Sequence, residues 1–136
     1  MRSLFYLLGM FGANITLASP AGLEMENSLV RKVDEKFSPQ INFSRSPSKD
    51  SDILYVCRIQ KERFASPAAA EAAQDAFRID SGFLHGAKKD MAILHPLPKH
   101  LEMPPEVDAS PHAKYFQQAK YAVPVRMAVL KEMLAL

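Results

Sequence analysis

Cysteine is nearly absent from this chain of 136 residues, in which Cys57 stands alone. A single cysteine excludes an intrachain disulfide, a Cys-x-x-Cys redox pair and a cysteine-based zinc site. The four histidines, at positions 85, 95, 100 and 112, show no metal-ligand spacing. We therefore expect no metal site, and a reducing, cytoplasmic location with an organelle left open.

The chain also lacks an excess of one charge and any long apolar run. Its formal net charge is +2, and its basic residues are mixed with acidic ones, as in Lys61-Glu62-Arg63. A nucleic-acid-binding surface needs Lys and Arg clustered on one face, and a membrane span needs about 18 consecutive apolar residues. We expect neither nucleic acid nor membrane as a partner. A composition of 48% hydrophobic and 24% charged residues fits one compact domain.

The amino-terminal segment admits two interpretations. Arg2, followed by the apolar run Leu4–Leu8 and small residues, matches a secretory signal peptide. The same residues also predict a helix over Ser3–Phe11 that ends at Gly12, with a strand over Asn14–Ala18 behind it. Composition alone does not choose between them, and the family resemblance described below favours the helix.

Helical and extended patterns alternate along the rest of the chain. Helices are predicted over Glu26–Phe37, Pro67–Phe77, Ser81–Lys88 and Ala113–Leu136, the last interrupted near Pro124, and strands over Ile41–Phe43, Asp52–Cys57 and Met91–Leu94. This alternation predicts an α/β fold of one domain over residues 1–136: a three-layer, mostly parallel sheet with helices on both faces. Such sheets bind ligands at the carboxyl ends of their strands, where the loops Arg58–Phe64 and His95–His100 lie.

The first of these loops carries a candidate carboxylate site. Arg58 and Gln60 follow a buried strand two residues apart, so their side chains can point the same way. A guanidinium with an amide beside it suits a dicarboxylate or an amino acid. The alternative is a solvated loop held by salt bridges, and spacing alone favours that simpler interpretation.

The second loop, His95-Pro96-Leu97-Pro98, is stiffened by two prolines that remove two backbone donors. Its free carbonyl groups are suited to an amino or amide group of a substrate, and one X–Pro bond is a candidate cis bond. The alternative is a rigid turn without a ligand, with His95 as a packed histidine. The chain contains no Gly-rich phosphate loop and no Gly-x-Ser-x-Gly nucleophile motif.

Blocks spread over nearly the whole chain resemble the aspartate carbamoyltransferase family in order and spacing. They are Arg2–Leu4 through Ser19-Pro20, Leu23–Met25, Asp52–Val56 leading into Arg58–Phe64, Ile93–Pro98, Glu106–Asp108, and Tyr115–Ala119 through Val125–Ala128. The sister family, ornithine carbamoyltransferase, would show His-Cys-Leu-Pro and a Ser-Met-Gly loop, which this chain lacks. Aspartate is therefore the expected amino-acid ligand.

The resemblance implies specific roles for residues of both loops. Arg58 and Gln60 would hold the carboxylates of L-aspartate, and the carbonyls of Pro96 and Leu97 would accept hydrogen bonds from the carbamoyl amide and the aspartate amine. The bond Leu97–Pro98 would be cis. Supporting roles are expected for the salt-bridging residues Lys61, Glu62 and Arg63, and for His95, Pro98, Glu102 and Arg126. No cofactor and no metal are implied.

The resemblance covers only the amino-acid-binding domain of that family. The carbamoyl-phosphate domain, with its Ser-x-Arg-Thr and His-Pro-Thr-Gln motifs, is absent, and so is the strand expected before Arg2. Family members are homotrimers whose sites borrow residues from a neighbour. We therefore expect no catalysis by this chain alone. Three interpretations follow: half of an enzyme completed by a separate carbamoyl-phosphate-binding chain, a non-catalytic binding or interaction module, or a truncated gene product.

Three positions depart from the family pattern. Cys57 stands where threonine is usual, Lys99 where arginine is usual, and Leu101 where an acid is usual. Lysine keeps the charge of arginine but not its planar fork.

Overall fold

The computed structural model of the protein describes residues 1–135. Its helices are α1 (Arg2–Met10), α2 (Asn27–Phe37), α3 (Pro67–Ala76), α4 (Ser81–Leu84) and α5 (Tyr115–Leu134), and its strands are β1 (Ile15–Ala18), β2 (Ile41–Ser44), β3 (Ile53–Tyr55) and β4 (Ala92–Leu94). Two short 3-10 helices lie at Lys61–Arg63 and Pro105–Ala109. The helical interpretation of the amino-terminal segment is confirmed.

Every strand pair is parallel, which confirms the α/β fold. Strand β1 pairs with β2 from Ile15 opposite Ile41, and β3 pairs with β4 from Ile53 opposite Ala92. A parallel pair needs a crossover, and α2 supplies it for the first pair, while α3 and α4 supply it for the second. Within residues 1–135 the strands form two separate pairs and not one continuous ladder.

Each strand pair has its own apolar core. The first core is built from Phe5, Ile15 and Val33, where α1 packs on α2. Gly9 permits that approach, because a Cβ atom there would lie 2.5 Å from Cγ1 of Val33. The second core surrounds β4 and consists of Val56, Ile79, Met91, Ile93, Met103, Val107 and Tyr115. The candidate site lies beside this second core.

Two predicted helices differ from the structure. Helix α4 has only four residues; Asp80 caps its start by accepting from the Phe83 amide at 2.9 Å, and Gly86 follows with a φ of +88°. The predicted interruption near Pro124 is wrong, because α5 continues through it. Pro124 is exposed, so the carbonyl group that loses its helical donor can be hydrated.

None of the helices formed by residues 1–135 combines the length and the apolar character that crossing a bilayer requires.

Candidate functional site

Arg58 and the turn His95–Pro98, called here the carbonyl turn, line one hollow. Strands β3 and β4 are parallel neighbours, so the loops that follow them leave the same edge of the sheet. The hollow measures about 320 Å³ and is lined by Arg58, His95, Pro96, Leu97, Pro98 and His100. Arg58, which is exposed, and the carbonyl turn therefore border one cavity that is large enough for a small molecule.

The backbone of the carbonyl turn has an unusual conformation. Leu97 has a φ of +52°, in the left-handed region, and the Leu97–Pro98 peptide bond is cis, as the family resemblance implied. A left-handed conformation costs a residue with a side chain about 1–2 kcal/mol. Backbone strain of this kind collects at functional sites and persists only where the surroundings stabilise it.

His95 stabilises the turn from within. The Leu97 amide donates to Nδ1 of His95 at 2.9 Å, so Nδ1 must be the unprotonated ring nitrogen. Nε2 then carries the proton and lies 3.1 Å from Oε1 of Glu102. Burial lowers the pKa of His95, and although Glu102 opposes that shift, the net direction keeps the imidazole neutral at pH 7. A neutral imidazole is the form that this geometry requires.

Glu102 anchors the turn from below. Its Oε1 accepts from the His95 imidazole and also from the His100 amide at 2.9 Å. The side chains of His95 and Glu102 are only 1% and 2% exposed, so the hydrogen bond between them is shielded from water. The supporting position expected for Glu102 thus corresponds to a buried carboxylate under the carbonyl turn.

The carbonyl groups at the tip of the turn are not used by the fold. Among residues 1–135, no hydrogen bond ends on the carbonyl oxygen of Pro96 or of Leu97. Both residues face the hollow that Arg58 also lines. Unpaired acceptors beside a cation are suited to a ligand with both an amine and a carboxylate.

A second set of polar contacts secures the segment after the turn. Lys99 pairs with Asp108 at 3.0 Å and donates to the carbonyl oxygen of Met103 at 3.1 Å. The Tyr115 hydroxyl donates to Asp108 at 2.5 Å. Burial would raise the pKa of Asp108, but the bonds from Tyr115 and Lys99 outweigh it and lower that pKa. Lysine at position 99 thus forms an ion pair although it lacks the arginine fork.

Several predicted site residues lie outside the hollow. Gln60 does not line it, and its Oε1 accepts a weak bond from Arg63 at 3.4 Å. The expected salt bridges of Lys61, Glu62 and Arg63 are not found among residues 1–135. These three residues form a 3-10 turn instead, and Lys61 and Glu62 line a second hollow of about 350 Å³ against the start of α3. Arg126 is exposed on α5.

Two residues of the site region were not singled out from the sequence. His100 lines the hollow, and its place two residues after Pro98 in the same loop was the available signal. Gln118 lies on α5, and its Oε1 accepts from the His95 amide at 3.0 Å. Nothing in local sequence pattern connects two residues 23 positions apart.

Known proteins match this chain over nearly its whole length. The family model described as the Asp/Orn binding domain of aspartate/ornithine carbamoyltransferase matches residues 1–133. The chain belongs to that family. It is 41% identical over 135 residues to the aspartate carbamoyltransferase catalytic subunit of Methanocella arvoryzae, covering 96% of this chain and 43% of that protein. The relatives from Methanosarcina mazei and Methanosphaerula palustris, 39% and 40% identical, carry the same name.

Solved carbamoyltransferase structures share the fold. The catalytic subunit of aspartate transcarbamoylase from M. jannaschii superposes with a TM-score of 0.86 at 35% identity, covering 98% of this chain and 44% of that one. The enzyme from Trypanosoma cruzi, solved with carbamoyl aspartate and phosphate, gives 0.84 at 33% identity, covering 95% and 43%. The chain thus spans less than half the length of these relatives.

Proposed function

We propose that this domain binds L-aspartate in the hollow between Arg58 and the carbonyl turn, as the aspartate-binding half of an aspartate carbamoyltransferase. The observation that carries the proposal is the meeting of Arg58 with the unpaired carbonyls of Pro96 and Leu97 in one hollow. Arg58 would pair with a carboxylate, and a carbonyl oxygen would accept from the α-amine. Gln60, which we predicted to hold the carboxylates of aspartate together with Arg58, would have to turn towards the hollow when a ligand binds.

The reaction served by this site would be carbamoyl transfer. The α-amine of aspartate attacks the carbamoyl carbon of carbamoyl phosphate, a C–N bond forms, the C–O bond to phosphate breaks, and the amine loses a proton. The products are N-carbamoyl-L-aspartate and phosphate, and the reaction is a step of pyrimidine biosynthesis. The protein's part is to position the amine and to stabilise charge, with no covalent intermediate. The carbonyl of Pro96 or Leu97 would hold the carbamoyl amide.

Titration with L-aspartate, followed by NMR or calorimetry, tests the binding step. We expect a dissociation constant of roughly 1 mM or weaker, because a single arginine lines the hollow. Arg58→Ala should abolish the binding, whereas Arg31→Ala, which removes an exposed arginine of α2, should leave it unchanged. A micromolar affinity, or binding that survives Arg58→Ala, would contradict the proposed site.

Helix α5 favours a second role, as a surface for another chain. One stripe along α5 carries Phe116, Val123, Met127, Leu130 and Leu134, each more than half exposed. Exposed apolar surface of this extent is typical of protein interfaces. We propose that the partner is the part of the carbamoyltransferase subunit that this chain does not span.

Mixing experiments separate the two roles. The chain alone should yield no carbamoyl aspartate from carbamoyl phosphate and L-aspartate. Addition of the unmatched part of the Methanocella arvoryzae subunit should form a complex on size exclusion and restore turnover. Leu130→Glu should block the complex but leave aspartate binding intact. Turnover by the chain alone would refute the proposal that it is half of an enzyme. A mixture that forms no complex and shows no turnover would refute the proposed partner.

A further inference from the structure

Gln118 connects helix α5 to the carbonyl turn. Its Oε1 lies 3.0 Å from the amide nitrogen of His95, which is the first residue after β4. A backbone amide can only donate, so the side-chain atom facing it must be the amide oxygen. Without Gln118, the His95 amide would have no acceptor among residues 1–135.

The first turn of α5 is itself held against β4. The Ile93 amide donates to the His112 carbonyl at 2.8 Å, and the Lys114 amide donates to the Ile93 carbonyl at 3.0 Å. Tyr115, at the start of the helix, is fully buried in the core around β4. Gln118 therefore projects from a rigid base, one helical turn beyond this anchor.

The hydrogen bonds form a series that ends at the tip of the turn. Gln118 holds the backbone of His95, the His95 ring holds the Leu97 amide, and Leu97 carries one of the unpaired carbonyl groups. The left-handed Leu97 needs such stabilisation to stay in place. A shift of about 1 Å in a positioned group is enough to weaken its function strongly.

We propose that Gln118 is a positioning residue that aims the carbonyl groups of the turn at the ligand's amine. This inference rests on the proposed aspartate site. Gln118 would not touch the ligand, because it does not line the hollow; it would act through His95. Arg58, by contrast, would grip carboxylates and is held by a different loop.

Two ligands distinguish the role proposed for Gln118 from that of Arg58. Succinate has the two carboxylates of L-aspartate but no amine, so only L-aspartate can bond to the carbonyl turn. Gln118→Met keeps the length of the side chain but removes the acceptor. We expect it to weaken L-aspartate binding about fivefold, the effect of one neutral hydrogen bond, and succinate binding less than twofold. Arg58→Ala should abolish the binding of both ligands.

The matched control is Gln117→Met, because Gln117 is an exposed neighbour whose amide bonds to Tyr121 and not to the turn. It should behave like the unaltered chain. Gln118→Glu, which restores an acceptor, should recover most of the preference for L-aspartate. Circular dichroism of each variant establishes that it is folded.

Amide hydrogen exchange tests the positioning role of Gln118 without a ligand. In Gln118→Met the Leu97 amide, whose own acceptor is His95, should exchange several-fold faster, and in Gln117→Met it should not. Unchanged Leu97 exchange, or an equal loss of both ligands, would overturn the positioning role. If the unaltered chain binds neither ligand, the proposed function fails, while the Leu97 exchange still decides whether Gln118 positions the turn.

Discussion

Replacement of Glu102 by alanine tests the buried base of the carbonyl turn. Its Oε1 accepts two hydrogen bonds, from the His95 imidazole at 3.1 Å and from the His100 amide at 2.9 Å. In Glu102→Ala both donors lose their acceptor. His100 is exposed, so its amide can turn to water, whereas the His95 side chain is 1% exposed and cannot.

The expected loss of stability combines one lost hydrogen bond with one buried donor left without an acceptor. A hydrogen bond to a charged group contributes about 1.5–3 kcal/mol, and an unsatisfied buried donor costs about 1–3 kcal/mol. Because only one of the two donors stays buried, we expect the free energy of unfolding to fall by about 3 kcal/mol. For a domain of this size that corresponds to a decrease of roughly 10 °C in Tm. Glu102→Gln keeps an oxygen acceptor and should lose only about 1 kcal/mol.

Urea and thermal unfolding followed by circular dichroism measure these differences. Glu35→Ala is the control, because Glu35 is an exposed acid on α2, and its effect should stay within about 0.5 kcal/mol. A double-mutant cycle with His95→Ala should give a coupling of about 1 kcal/mol or more. If Glu102→Ala unfolds like the unaltered chain, or if the glutamine variant loses as much stability as the alanine variant, Glu102 does not anchor the turn through these hydrogen bonds.

Three further predictions concern other parts of the molecule. Gly9→Ala should lower the free energy of unfolding by about 1–3 kcal/mol, because its Cβ would meet Val33 at 2.5 Å. Gly12→Ala is the control: that position has open space but a φ of +64°, so the variant shows what backbone strain alone costs. Stability should fall as the pH drops below 6.5, the ordinary pKa of histidine, because folding lowers the pKa of His95 and the unfolded chain then binds more protons. His95→Gln should reduce this pH dependence of stability, measured by urea unfolding at pH 5 and pH 7. Burial raises the pKa of Cys57, so its thiol should react more slowly with a disulfide reagent at pH 7 than in urea, and equal rates would contradict that burial.

Local pattern was sufficient for the strands and for the two loops of the site. The apolar run Ile53–Val56 predicted a buried strand, and β3 lies within it, but the predicted burial is wrong: Ile53 is 60% exposed, Leu54 and Tyr55 are half-buried, and only Val56 is buried. Alternation of strands and helices predicted parallel pairing, and parallel pairing brings the ends of β3 and β4 to one edge. The meeting of Arg58 with the carbonyl turn follows from that rule alone. The cis bond at Pro98 came from family resemblance, because periodicity carries no information on peptide isomers.

The tertiary structure decided how the turn is held. Pattern predicted that α5 would be interrupted near Pro124, yet the helix runs on where solvent can replace the lost donor. The salt bridges that the resemblance implied for Lys61–Arg63 are not formed within residues 1–135, since exposed ions gain little by pairing. Glu102 and Gln118 became the supports of the turn because the fold places a carboxylate and an amide oxygen opposite donors that water cannot reach. Such pairings depend on distances between remote segments, which only the folded chain defines.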